Sequence, residues 1–281
     1  MLFINSRVLS SPSVRNEYYL YVHNSIRFLL NCVQEFGKVM KSTHTDQLKQ
    51  LNTNCKEIIL DSEIPMDPRT NAGILMAYIA KLFEEYESFV AYVKDIKNPN
   101  EIAMCVGVIN TCDQYDFQQY SADIRDICGK IDELANANAT VPNILLCATR
   151  ALYQISKLTY NFALKSPQTL DDIKLILRKL LIFTVAYLEH HMDSVRHICR
   201  DLMRNIVAAS KKVQFDFLLQ KIYDACNSDR LSLSMKCVVL QQAASILGAD
   251  EIISNCLDLF SQLFASNLGR DFMVNNLFES K

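Results

Sequence analysis

Residues 188–208 read LEHHMDSVRHICRDLMRNIVA, and the spacing of their apolar side chains decides the fold class. Apolar residues recur three and four positions apart, at Val195, Ile198, Cys199, Leu202, Met203 and Ile206. This is the spacing of one buried face of an α-helix, with polar residues on the opposite face. The segment therefore predicts an amphipathic helix that packs against other helices.

The opposite face of this helix carries the strongest local basic feature of the chain. Three arginines follow one another at steps of four, and two lysines come about two helical turns later: Arg196, Arg200, Arg204, Lys211 and Lys212. Aligned guanidinium groups can bind phosphates or carboxylates in a bidentate manner. We therefore predict that these five residues bind tRNA or a protein partner. The alternative interpretation is an ordinary solvated face, balanced by Asp193 and Asp201.

The composition extends the helical interpretation to the whole chain. Half of the 281 residues are hydrophobic, 21% are charged, and glycine and proline number six each. Such a chain has much core material and few turns, which favours long helices over a β-sandwich. Pairs of helices recur after residue 166 at about 40 residues, the period of HEAT and armadillo repeats. We predict an all-α HEAT/armadillo-like solenoid in one segment, 1–281, with a soft boundary near 136–141. A plain orthogonal bundle is the alternative.

Local signals predict where individual helices begin. Core spacing predicts helices over about 16–40, 45–60 and 69–94, and further helices starting near 167, 190, 212, 231 and 248. Asn98-Pro99-Asn100-Glu101 has the pattern of a capping box with proline at the first helical position. Thr140 and Ser166 each stand shortly before a proline and a long apolar run, as helix caps do.

The motifs of common enzymes are missing from the sequence. It contains no Gly-rich phosphate loop, no Gly-x-Ser-x-Gly and no His-Glu-x-x-His. His190, Asp193 and His197 have metal-ligand spacing, but an acid in the first helical turn that pairs with His197 explains them better. The ten cysteines include no Cys-x-x-Cys pair and are interpreted as buried, reduced thiols. We predict a non-enzyme without cofactor, metal or small-molecule substrate.

Charge and hydropathy limit where the chain acts. The formal net charge is −2, so any attraction to nucleic acid has to come from a local patch. The uncharged stretches are shorter than the ~18 residues of a membrane span, and we predict no span and a cytoplasmic location. The aromatic residues of the first helix, Tyr18, Tyr19, Tyr21 and Phe28, could form a base-stacking surface, but their spacing favours core packing for most of them.

Two stretches resemble a known family. Tyr187–His197, followed by Leu202–Val207, is similar to a conserved string of the THADA family, named for the thyroid adenoma-associated protein. Ser234–Leu240, running into Leu247–Asp250, resembles the helix pair that follows this string in that family. The two matches lie within residues 187–250 and agree with the family in order and spacing. Family members are far longer, so the resemblance implies a fragment or a shortened member.

The resemblance implies a large α-solenoid that is the non-catalytic partner of a tRNA ribose 2′-O-methyltransferase acting in the anticodon loop. The expected partners are that methyltransferase and tRNA itself. The leading hypothesis is therefore a scaffold for tRNA methylation. The alternative is a general protein-interaction adaptor with no RNA role, whose grooves bind peptides of a partner.

Overall fold

The computed structural model describes residues 12–163, 165, 167–228, 231–256, 259–261 and 265. Every element of regular structure in these ranges is a helix, which confirms the all-α prediction. The helices are α1 Pro12–Thr43, α2 Thr45–Leu60, α3 Met66–Leu82, α4 Tyr86–Lys94, α5 Ile102–Thr111, α6 Gln114–Ala137, α7 Pro142–Phe162, α8 Leu170–Tyr187, α9 Asp193–Lys212, α10 Asp216–Asn227, α11 Leu233–Leu247 and α12 Ala249–Asn255. Short 3-10 helices, Pro99–Glu101 and Pro167–Thr169, precede α5 and α8.

The chain divides into two compact units between Gln154 and Ile155, within α7. The prediction of one continuous repeat segment with a soft boundary near 136–141 stays a prediction. Among the described residues, none of the helices combines the length and the apolar character that crossing a membrane requires.

Helix α3 forms the centre of the first unit. It packs against α1, α2 and α5, and ten of its 17 residues are buried. Its sequence has no clean polar face, as expected for a helix covered on several sides. The packing of its neighbours around it therefore determines much of the stability of this unit.

Helices α3 and α5 touch through their backbones at two glycines. A Cβ atom added to Gly73 would lie 2.0 Å from the carbonyl oxygen of Ala103, and one added to Gly107 would lie 2.1 Å from that of Gly73. No side chain fits at either position without moving a helix. These glycines are required for the close approach of the two helices, although glycine is unfavourable inside a helix.

In the second unit α9 takes the central position. It packs against α8, α10 and α11, and the predicted stripe is buried at Val195, Cys199, Leu202, Met203 and Ile206. Ile198 is half-buried. Asn205 also donates to the hydroxyl of Ser156 in α7 over 2.9 Å. Helix α9 is thus the core helix of this unit.

The same turn ends the central helix of each unit. After α3, Glu84 has φ 64°, and the amide of Glu85 donates to the carbonyl of Ala80. After α9, Gln214 has φ 52°, and the amide of Phe215 donates to the carbonyl of Ser210. Both are Schellman turns, in which a left-handed residue closes the helix. A lysine three residues earlier also donates to the end of another helix in each case: Lys81 to the Thr111 carbonyl and Lys211 to the Ile246 carbonyl.

The observed helix boundaries agree with most sequence signals. The predicted helix 45–60 has the bounds of α2, the Asn98 capping box is formed with Glu101, and α7 begins at Pro142. Ser166 lies outside the described residues. The prediction of one helix over 69–94 is wrong, because α3 ends at Leu82 and α4 begins at Tyr86. The break occurs at Glu84, a residue type that gives no turn signal in sequence.

Candidate nucleic-acid and partner interface

Arg196 mainly stabilises the N-terminal end of α9. Its Nη1 atom donates to the carbonyls of His190 at 2.7 Å and His191 at 3.0 Å. Its guanidinium also pairs with Asp193. The arginine thereby ties down the loop that leads into α9, so its substitution would disturb structure as well as any binding.

Arg200 and Arg204 are more available for a ligand. Arg200 is half-buried, and its Nε atom is buried without a hydrogen-bond partner among the described residues. Arg204 is about half exposed and lies 3.9 Å from Asp201, the edge of ion-pair distance. An exposed pair at this separation contributes little to stability, whereas a buried N–H without an acceptor is costly. An anionic group at this face could accept from both arginines.

Lys211 and Lys212 both serve as helix caps. Lys211 donates to the Ile246 carbonyl at 3.3 Å, in the last turn of α11. Lys212 donates to the Tyr160 carbonyl at 2.8 Å, in the last turn of α7, and its Nζ lies 4.4 Å from the centre of the Tyr160 ring. A cation near a helix C-terminus is favourable because it meets the negative end of the helix dipole.

The five predicted residues therefore do not act as one uniform set. All five belong to α9. At its start Arg196 binds the carbonyl of His190, and at its end Lys211 and Lys212 bind carbonyls of α11 and α7. Arg200 and Arg204 lie between these two ends. Direct contact with a partner through these residues stays a prediction, centred on Arg200 and Arg204.

The histidine and cysteine residues lie in settings typical of structural roles. Asp193 pairs with Arg196 rather than with His197, which corrects the predicted pairing. The ring of His190 lies 4.1 Å from that of His191, and desolvation by burial lowers its pKa. Nine cysteines are buried and free, with Cys32 half-buried. Burial raises the pKa of thiols such as Cys55 and Cys199 to about 12. In the part of the chain that the structure describes, no three His, Cys, Asp or Glu side chains form a metal-binding group.

A cluster of cations and aromatic rings was missed by the sequence analysis. Arg178 of α8 lies 5.3 Å from the ring centre of Phe215 and 5.1 Å from that of Phe217. Lys174, one turn earlier, lies 5.6 Å from Phe215, and Lys221 of α10 lies 5.4 Å from Phe217. The available signals were Lys174 and Arg178 four residues apart and Phe-Asp-Phe at the start of a helix. Since these segments are about 40 residues apart in sequence, only the fold brings them together.

The outer face of α1 is unexpectedly apolar. Phe28 and Phe36 are 66% and 63% exposed, and Val14, Tyr21 and Val39 are exposed along the same helix. Tyr18 and Tyr19 are half-buried. None of the four aromatic residues Tyr18, Tyr19, Tyr21 and Phe28 is buried, so the prediction that most of them pack in the core is wrong. Exposed apolar surface of this extent is typical of interaction sites.

A groove accompanies this apolar face. It has a volume of about 380 Å³ and is formed by α1 and the end of α3, with Phe36, Gly37, Val39, Tyr78 and Leu82 among its lining residues. The lining also includes the polar residues Gln34, Glu35, Lys38 and Lys81. A groove of this kind can accept an apolar side chain of a partner helix.

Comparison with known proteins gives one informative match. No family model matches the chain, and no solved structure matches it. The tRNA (32-2′-O)-methyltransferase regulator THADA of Drosophila melanogaster is 25% identical over 278 residues, which cover 96% of this chain. The chain spans 16% of the length of that relative. The similarity is distant, but it extends the family resemblance from the stretches around α9 and α11 to nearly the whole chain.

Proposed function

We propose that this chain is a non-catalytic helical segment that supports 2′-O-ribose methylation in the tRNA anticodon loop by binding a partner methyltransferase, tRNA or both. One observation carries the proposal: 96% of the chain aligns with a protein named as a regulator of a tRNA 2′-O-methyltransferase. A regulator is not itself the methyltransferase, and this agrees with the lack of cofactor motifs in the sequence. The expected location is the cytoplasm.

We further propose that the helices form a HEAT/armadillo-like solenoid. The repeated Schellman turns at Glu84 and Gln214 support this arrangement, as do the equivalent lysine caps of Lys81 and Lys211. In such repeats each unit is built from similar helix pairs and presents an extended surface to large partners. An extended surface of this kind suits the simultaneous binding of a tRNA and an enzyme.

The proposed contact on α9 centres on Arg200 and Arg204. Arg200 is half-buried and makes no ion pair among the described residues, and Arg204 has only a distant carboxylate. A phosphate or a carboxylate of the partner could bind the accessible parts of both guanidinium groups. Arg196, Lys211 and Lys212 support this face by holding the helix ends, and each retains charge that attracts an anionic partner.

A capture experiment tests the proposal. The full chain and an Arg200→Gln/Arg204→Gln variant would be immobilised and exposed to cell extract, followed by sequencing of the retained RNA and mass spectrometry of the retained proteins. A Lys49→Gln/Lys97→Gln variant removes the same charge from exposed sites elsewhere and serves as control. We expect the parent and the control to retain tRNA and a ribose methyltransferase, and the α9 variant to lose one or both. Retention of neither by folded parent protein would refute the function.

The alternative is a protein-interaction adaptor without an RNA role, and the apolar face of α1 favours it. Exposed Phe28 and Phe36 beside an apolar groove suit an amphipathic helix of a partner. Salt separates the two functions, because phosphate contacts weaken steeply as salt rises and apolar contacts do not. Partners that stay bound at high salt and are lost on Phe28→Ser/Phe36→Ser substitution would favour the adaptor.

A further inference from the structure

The cation–aromatic cluster, defined as Lys174, Arg178, Phe215, Phe217 and Lys221, has the chemistry of a single-strand binding site. Phe215 and Phe217 stack with ring centres 6.2 Å apart and planes inclined by 26°. Phe215 is buried and anchors the pair, while Phe217 is 54% exposed. An exposed aromatic ring thus lies beside a buried one, with cations from two helices near it.

Arg178 is held in place by the rings rather than by an acid. In the described part of the chain it has no carboxylate within ion-pair distance, and neither has Lys174. A guanidinium that lies over aromatic rings keeps the N–H groups of its edge directed outward, where they can bind a phosphate in a bidentate manner. Contact with the rings restricts the Arg178 side chain before any ligand binds, so binding loses less side-chain conformational entropy.

Acidic residues lie on both helices that supply the cations of the cluster. Asp224 is 3.6 Å from Lys221, and Asp216 occupies the first turn of α10. Asp171 and Asp172 lie in the first turn of α8, ahead of Lys174 and Arg178. A polyanion is therefore expected to contact Lys174 and Arg178 rather than Lys221, whose charge Asp224 balances. An exposed ring beside two cations without acidic partners suits a strand whose bases stack while its phosphates bind the cations.

We propose that the cation–aromatic cluster binds single-stranded RNA, with a base stacked on Phe217 and the phosphates bound by Arg178 and Lys174. The choice of RNA over other polyanions rests on the proposed function. The cluster differs from the α9 arginines in offering stacking as well as charge. It adds a second RNA contact, on the surface formed by α8 and the start of α10.

Fluorescence anisotropy with a labelled, unstructured uridine-rich RNA tests the proposal in the full chain, from 50 to 200 mM salt. We expect Phe217→Ala to weaken binding at least fivefold without changing the salt dependence, since stacking contributes and no phosphate contact is lost. Arg178→Gln should weaken binding and reduce the slope of log affinity against log salt by about 0.7, the value for one phosphate contact on a single strand. Arg178→Lys should keep the slope and still lose affinity, because the planar group is gone.

Matched controls and competitors make the result decisive. Tyr115→Ala removes an exposed ring elsewhere, Lys97→Gln removes an exposed cation elsewhere, and both should bind RNA as the parent does. Circular dichroism would confirm that each variant is folded. If polyglutamate competes as well as RNA at equal charge, or if the controls lose as much affinity as the cluster variants, the proposal is overturned.

The outcome is separable from that of the proposed function. A chain that retains a ribose methyltransferase from extract, but whose RNA affinity is unchanged by Phe217→Ala and Arg178→Gln, would overturn the RNA site and leave the scaffold function standing. A chain that binds RNA through the cluster yet retains neither tRNA nor methyltransferase would support the site and refute the scaffold function.

Discussion

Replacing Gly107 with alanine should destabilise the first unit, against the ordinary preference of helices for alanine. The new Cβ would lie 2.1 Å from the carbonyl oxygen of Gly73. Real Cβ contacts essentially never fall below 3.0 Å, so α3 and α5 have to separate by about 0.9 Å, the difference between these two distances. The obstacle is backbone, which cannot rotate away as a side chain can.

The magnitude follows from two opposing effects. Overpacking a tight interface costs about 1–3 kcal/mol, and the upper end applies here because a separation of this size also forfeits a quarter to a half of the dispersion energy of contacts across the interface. Helix propensity returns about 1 kcal/mol when glycine becomes alanine. The net expectation is a loss of about 2 kcal/mol of unfolding free energy.

Gly37→Ala is the matched control. Gly37 is also inside a helix, α1, but a Cβ there would meet the nearest atoms, those of Leu82, at 3.5 Å, an ordinary contact. This substitution should stabilise the protein by up to about 1 kcal/mol, since the propensity gain meets no clash. The two alanine variants should therefore differ in sign.

Urea unfolding followed by far-UV circular dichroism measures the midpoints, and hydrogen exchange read by mass spectrometry reports α3 and α5 separately. We expect a lower midpoint and faster exchange in both helices for Gly107→Ala, and neither change for Gly37→Ala. Equal or higher stability of Gly107→Ala would refute the backbone contact between α3 and α5.

Further predictions concern the second unit and the thiols. Gln214→Gly should be neutral or stabilise by up to about 1 kcal/mol, because glycine adopts the left-handed conformation without strain, and Gln214→Val should destabilise by a similar amount, both measured by urea unfolding. Arg196→Gln should cost about 1–2 kcal/mol through its lost bonds to backbone carbonyls, while Arg204→Gln should stay within about 0.5 kcal/mol. DTNB at pH 8 should label Cys32 rapidly and the nine buried thiols only after unfolding. Since burial raises the pKa of Cys55 to about 12, the stability from this thiol is fully present below about pH 8.5 and is lost as the pH rises towards the folded value. Urea midpoints should fall between pH 8 and 10, less steeply in Cys55→Ala.

The sequence was most informative where local chemistry determines structure. The Asn98 capping box and Pro142 define helix starts, since both act within one turn of the backbone. The apolar spacing in α9 predicts which of its side chains are buried, because this spacing follows from the geometry of the helix itself. These features need no knowledge of distant residues.

Prediction was incomplete where long-range packing decides. The break at Glu84 has no local signal, because a Schellman turn is held by backbone hydrogen bonds that any residue can make. The spacing of the aromatic residues in α1 predicts a helix, but it does not show which face of that helix other helices cover. Phe28 lies on the uncovered side and is exposed. Arg178 and Phe217 meet only after α8 and α10 are packed. The candidate site on α9 was predicted as a set, yet the ends of other helices recruit Lys211 and Lys212.

The paired Schellman turns bear on how such a chain can diverge over evolutionary time. Backbone amide–carbonyl hydrogen bonds hold both turns, so the side chains at equivalent positions can change. Glu84 in one turn corresponds to Gln214 in the other, and Ala80 corresponds to Ser210. Lineages that share an ancestor could keep the turn while losing every identity around it. Common ancestry of such proteins is therefore better detected by comparing backbone torsion angles at helix ends than by sequence identity.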